Sequence, residues 1–310
     1  MKKIKYLLSA IPAAMFATSA NADISVSGSA AAAYTDGGGN TSSTYGGGVS
    51  FAMSTTTDGG VSISASSAIS NDSDSVGSSS GATGVTNLSF GFANGTISVG
   101  GDVGVADGVG KVGELVGYAD DKLVAFDAST GLGDDEGDGV KLSTSVGDMS
   151  VGVVYVWDGA AGGNVDGGTT TSQSISLSMP VGTGTLTVAS ASDDVSGTNM
   201  NEVGVAYSMA AGGGTLSLGF TGTDGDTASK EGESISAAYA TTLGGASVSV
   251  GYTGHDANSK TAQQTDIVIS SSLGGGASIF AEYANRSGTT AAESATASQS
   301  VVAVGTSVAF

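Results

Sequence analysis

The chain has no cysteine, and in 310 residues it carries only 2 prolines, 1 histidine and 1 tryptophan. Without Cys there is neither a disulfide nor a thiolate metal site. Charge is scarce too: 12% of residues are Asp, Glu, Lys or Arg, roughly half the usual share for a soluble domain. Bases are the scarcer sign, 9 Lys+Arg against 29 Asp+Glu, for a formal net charge of -20. That surplus repels phosphate backbones and anionic headgroups, which excludes nucleic acid as a partner. The chain is 39% hydrophobic with a mean hydropathy of +0.17. Beyond the N-terminus it has no apolar run long enough for a spanning helix. Two classes survive these absences, an all-β membrane barrel and a Gly/Ser-rich extracellular β protein.

What is present begins with an export signal. Lys2, Lys3 and Lys5 precede a short apolar stretch from Tyr6 to Ala17, and Ala20-Asn21-Ala22 supplies the small-x-small cleavage pattern. Residues 1–22 are therefore expected to be removed, leaving 23–310 as one unit. The lost segment holds three bases and no acid, so the mature charge becomes -23. An exported chain without Cys has to take its stability from hydrogen-bonded sheet.

Apolar residues alternate with small or polar ones along the whole mature chain, the period of a strand with two different faces. The pattern predicts sixteen strands, near 23–35, 41–54, 60–70, 84–93, 95–103, 138–147, 149–158, 170–180, 184–193, 200–209, 214–223, 232–242, 245–255, 262–272, 276–286 and 297–310. Every other connection is a tight Gly-rich turn, at Asp58-Gly59, Asn94-Gly95, Gly147-Asp148, Gly182-Thr183-Gly184, Gly212-Gly213-Gly214, Gly244-Gly245 and Gly274-Gly275-Gly276. The connections between them are longer and hold most of the acids. Short turns at one end and long loops at the other are the layout of an antiparallel transmembrane barrel in an outer membrane.

The polar face separates membrane from water. On a soluble sandwich it would carry Lys and Glu, whereas here it is mostly Ser, Thr, Gly and Ala. If lipid covers the apolar face the sheet must close, because an open edge in hydrocarbon leaves backbone groups unsatisfied at several kcal/mol each. The aromatics agree. Phe51, Phe90, Phe92, Tyr207, Tyr239 and Phe310 fall outward near the short-turn end. Tyr34, Tyr45, Tyr155, Trp157, Phe220, Tyr252 and Tyr283 fall outward near the long-loop end, giving rings at both headgroup levels.

The chain ends in SVVAVGTSVAF at 300–310, an alternating strand with Phe310 terminal. It contains VSFAMSTTTDGGVSISASSAIS at 49–70, NLSFGFANGTISVGGDVG at 87–104, AAYATTLGGASVSVGYTGHD at 237–256 and SLGGGASIFAEYANRSG at 272–288. In their order these segments resemble the Gram-negative general diffusion porins, especially the alphaproteobacterial branch. The resemblance implies a 16-stranded barrel in the outer-membrane lipids, usually a homotrimer, passing small hydrophilic solutes by diffusion. It implies that Phe310 belongs to the signal read by the barrel-assembly machinery, and that the third loop, about 104–137, folds inward as the constriction.

Ten acids lie between residues 102 and 138, against Lys111 and Lys122 alone. Asp102, Asp107, Glu114, Asp120, Asp121 and Asp127 are the candidates for the constriction, and Asp134 to Asp138 for the rim. Strand parity puts Lys141 and Arg286 on the lumen wall against Asp102, Glu202, Asp266 and Glu282. This departs from the arginine-rich wall of the family and predicts a negative, cation-selective pore. No cofactor is called for; a Ca2+ held by Asp120, Asp121 and neighbouring acids is the one ion the loop leaves open.

Other readings have weaker support. His255, the only His, is read as a residue of the barrel rim rather than part of a hydrolase triad, since 251–256 has no GxSxG. The Gly-rich strings lack the GxxxxGK[ST] of a phosphate loop, and Pro180 ends a strand. A substrate-selective channel is the nearest alternative. A secreted Gly/Ser/Asp-rich adhesin would need a short repeat such as GGxGxD, which is absent.

Overall fold

The computed structural model describes residues 23–37, 40–71, 87–102, 109–112, 115, 136–158, 170–195, 198–226, 231–257, 260–288 and 299–310. The first eight strands are β1 (Asp23–Gly37), β2 (Asn40–Thr56), β3 (Ser62–Asn71), β4 (Asn87–Phe92), β5 (Gly95–Asp102), β6 (Glu136–Val146), β7 (Met149–Asp158) and β8 (Thr170–Val181). The second eight are β9 (Gly184–Val195), β10 (Thr198–Ala211), β11 (Gly214–Gly225), β12 (Gly232–Leu243), β13 (Ala246–Ala257), β14 (Lys260–Gly274), β15 (Ala277–Gly288) and β16 (Gln299–Ala309). Each pairs antiparallel with its sequence neighbours, and β1 pairs with β16, so the sheet closes into a sixteen-stranded barrel. The expected leader, residues 1–22, lies outside the described residues.

Closure is made at one seam. Gly28 N donates to Phe310 O at 2.8 Å, and Phe310 N donates back to Gly28 O at 2.9 Å. The Phe310 ring then folds over Gly28, where a Cβ would stand 2.5 Å from it. Two tyrosines repeat the arrangement at the short-turn end. Tyr207 lies over Gly184 and donates to Val181 O at 3.0 Å, while Tyr239 lies over Gly214 and reaches the carbonyls of Ala211 and Gly212 at 3.2 Å. A ring over a glycine shields its bare backbone on the outer face, and the hydroxyl satisfies a turn carbonyl.

Alternation sets the two faces. Val153, Tyr155 and Trp157 are 40%, 42% and 41% exposed while Val154 and Val156, pointing inward, are 1% exposed. On β12 the outward apolar band runs from Ile235 to Leu243, close to the roughly 9 to 11 residues that a tilted strand needs to cross. The outward rings of the upper group are all 37% exposed or more. Phe90 shares the outward parity of Phe92 yet is buried, because Ile63 and Ile97 stand directly opposite it on the flanking strands.

The connections differ in length from the expected pattern. At the long-loop end only two residues separate β1 from β2, β9 from β10 and β13 from β14. These strands run on past the expected ends, so those hairpins are tight at both levels. In the turn after β2 the residue with positive φ is Gly60, at 79°, rather than Gly59.

Gly28→Val is expected to displace the Phe310 ring and cost about 1 to 3 kcal/mol by overpacking. It should lower the temperature at which the barrel loses its compact electrophoretic form, whereas Ser27→Val, facing the open interior, should not.

Candidate functional site

The interior is where polar chemistry collects, and its two sides differ. At mid-height the inward positions of β7 to β16 are buried, among them Val154, Ser174, Ala189, Ser236, Asp266 and Ala303. On β2 to β6 the corresponding positions are exposed or half-exposed, at Ser50, Ser66, Ser89, Ser98 and Lys141; on β1 Ser29 is exposed too, while Ala33 and Thr35, the latter directly opposite Ala303, are buried. One sector of the wall is therefore covered and the other is open. The open sector is almost entirely hydroxyl; Ser89 and Ser98 face each other with their Oγ atoms 2.8 Å apart, and Lys141 stands directly opposite Ser98.

Part of the cover is the connection between β5 and β6. It leaves the wall at Asp102, and its described residues reappear four to seven strands away around the ring, on β9 to β14. Val109 packs against Ala189 and Ala191 of β9. Ser236 Oγ of β12 donates to Gly110 O at 2.5 Å and accepts from Val112 N at 3.1 Å. Asp266 Oδ2 of β14 accepts from Leu115 N at 3.0 Å and from Gln264 Nε2 at 3.2 Å. Gly110 has φ of 96°, and a Cβ there would overlap Phe220 O; a Cβ on Gly219 would overlap Gly110 O. The two bare glycines let the chain at Gly110 lie flush on β11, and Ser236 and Asp266 hold it at Gly110, Val112 and Leu115.

The wall charges lie mostly in the buried sector. Glu202 and Asp266 are 0% exposed, Arg286 3% and Glu282 8%. Arg286 stands directly opposite Gln264 and diagonal to Asp266, so base, amide and carboxylate form one buried group on β14 and β15. Lys141 lies apart from them on the half-exposed sector. Asp102 pairs with Glu136 across a register shift after Gly100. Asp107, Glu114, Asp120, Asp121 and Asp127 lie outside the described residues. No group of three or more acids or histidines suited to a metal occurs among the described residues.

Two inward groups differ from the expectation drawn from sequence. Asp193, 5% exposed, continues the inward run of Ala189 and Ala191, on a strand that extends beyond its expected end to Val195. His255 is not a rim loop residue: it lies within β13, 4% exposed, with Nδ1 2.9 Å from Ser234 Oγ. A hydrolase triad does not follow, since Asp256 and Glu233 have the opposite parity and face outward. Both positions are the last residues of their expected strands, 184–193 and 245–255, so alternation already reaches them.

Ser236→Ala removes two hydrogen bonds to the segment, worth about 1 kcal/mol each. Added protease is expected to cut the β5–β6 connection several-fold faster in this variant, with the barrel itself still intact.

Comparison with known proteins follows the same architecture. The family model for Gram-negative porins matches residues 8–308. Among solved structures, OmpF of Salmonella typhi in complex with daunomycin superposes with a TM-score of 0.71 at 13% identity, covering 93% of this chain and 97% of that one. In-vitro folded OmpT of Vibrio cholerae, in its trimer form, gives 0.70 at 12% identity over 93% and 99%. The anion-selective porin from Comamonas acidovorans gives 0.68 at 17% over 94% and 100%. At such identities the likeness is one of fold. No curated protein matches the sequence.

Proposed function

This chain belongs to the Gram-negative porin family, and from that membership we infer that it forms a water-filled outer-membrane channel through which ions and small hydrophilic solutes diffuse passively. One observation carries the reading: a closed barrel, apolar outside, keeps an open hydroxyl-lined sector along β1 to β6 inside it. Lipid satisfies the outer face, and water and solutes meet Ser Oγ atoms that both donate and accept. Passage needs no covalent step, so no residue is assigned a catalytic role. The segment docked at Ser236 and Asp266 supports a constriction formed by the β5–β6 connection, with Asp107, Glu114, Asp120, Asp121 and Asp127 beside the passage and Asp102 at its root.

Cation selectivity is the finer part of the proposal. The open sector carries serines where a base-rich wall would attract anions, with Lys141 its one described base at mid-height. The mature chain carries a net charge of -23. Confined negative charge concentrates cations and excludes anions. The Comamonas protein of similar fold is anion-selective, so selectivity follows the lining residues rather than the barrel. A homotrimer in the outer membrane, exported by cleavage after residue 22 and assembled through Phe310, completes the proposal.

In a planar bilayer under a salt gradient, the reversal potential should have the sign of cation preference, and Lys141→Gln should move it further that way. Chloride preference in the parent chain would exclude the cation-selective reading. If the acidic connection also holds Ca2+, calcium should raise the unfolding temperature and a chelator lower it; an unchanged profile would exclude the ion.

A further inference from the structure

The outward face of the barrel carries a groove of about 470 Å3 at the long-loop end of β12 to β15. Glu233 and Asp256 stand directly opposite each other at its upper edge, both exposed. Like charges directly across a strand pair are destabilising, and a cation between them reverses the sign. Beneath them is Gly254, which contributes no side chain, and Tyr252 leans along its strand over that gap, its Oη 3.0 Å and Cε1 3.5 Å from where a Cβ would be. Tyr252 Oη donates to Gln263 Oε1 at 3.4 Å, and Gln263 Nε2 donates to Ser287 Oγ at 3.0 Å, which holds the ring in place across three strands. Lower on the same face Ile235 is 60% and Val250 43% exposed. No Lys or Arg is among the described residues lining the groove, and His255, its one basic side chain, is 4% exposed with Nδ1 bonded to the inward Ser234.

Two carboxylates above an aromatic ring are the chemistry that receives an ammonium group. The exposed Ile and Val below offer a hydrocarbon chain a path down the barrel wall. Tyr252 belongs to the upper aromatic ring, so the carboxylates sit just beyond the hydrocarbon, at headgroup depth. We propose that this groove binds an amphiphile with a cationic ammonium head, the head between Glu233 and Asp256 over Tyr252 and the chain along Ile235 and Val250. The depth of the site rests on the outer-membrane reading; the recognition chemistry is independent of conduction.

The test uses the full mature chain purified in a neutral detergent, with a photoreactive dodecyltrimethylammonium and the matching dodecyl sulfate as probes. The ammonium probe should label peptides of β12 to β15 above all others. Label there should fall to the level of the rest of the barrel in Glu233→Gln/Asp256→Asn and in Tyr252→Leu, and stay unchanged in Asp194→Asn, which alters an outward acid on β9. Even labelling around the barrel, or label unaffected by the double variant, would overturn the proposal. So would stronger labelling by the sulfate probe in the presence of calcium, which would assign the acids to a metal-bridged anionic headgroup. Bilayer conductance of the same preparation separates the two ideas: a conducting channel without groove labelling removes this site and leaves the porin reading, and an inert preparation removes the channel and the depth argument together.

Discussion

Hydrocarbon offers no partner to a backbone N–H or C=O, and that constraint governs the rest of this molecule. Sixteen strands with apolar outer faces have one way to satisfy it, which is to pair the last with the first. The reciprocal bonds between Gly28 and Phe310 complete that ring. Closure also explains the composition. A strand between lipid and a lumen has no surface for Lys and Glu, so charge is rare in the walls and the acids gather in the connections. The glycines at Gly28, Gly184 and Gly214 fit the same constraint, since each lies beneath an aromatic ring that covers its backbone on the lipid side.

A closed ring of sixteen strands leaves an interior too wide for its own small side chains to fill. Here part of it is filled from one side. The segment around Gly110 reaches the far wall and is clamped by Ser236 and Asp266, and the inner face from β7 to β16 is buried at mid-height. The serines of β1 to β6 stay accessible. Asp266 thus helps hold the cover, and Glu202, Glu282 and Arg286 are buried on the same side, whereas Ser29, Ser50, Ser66 and Lys141 are exposed or half-exposed to the interior.

Much of this is legible in the sequence because period-2 alternation is a strong signal when one face must be apolar. All sixteen strands, their order and both aromatic rings follow from the alternation and the turn residues alone. Strand ends are less legible, since the rule that lipid imposes fades beyond the membrane; β9 and β13 run two residues past their expected ends, and Asp193 and His255, the last residues expected of them, face inward. Parity sends Glu202, Asp266, Glu282 and Arg286 inward, where the barrel buries them, but it does not tell exposed from covered. That distinction depends on where a distant loop docks, and no local pattern encodes a contact 151 residues away such as Leu115 with Asp266. Val154 and Val156 show the same limit: alternation sends them to a lumen expected to hold small side chains, and they are buried there.

The uneven interior is the central claim, and the absence of native cysteine allows it to be measured directly. Single cysteines at Ser50, Ser66, Ala189 and Ala303 can each be treated with a bulky charged methanethiosulfonate reagent while the open channel conducts in a bilayer. The account predicts a stepwise fall in current for the first two and little or no reaction for the last two. Equal reactivity at all four positions, or block from Ala189 and Ala303 alone, would contradict it.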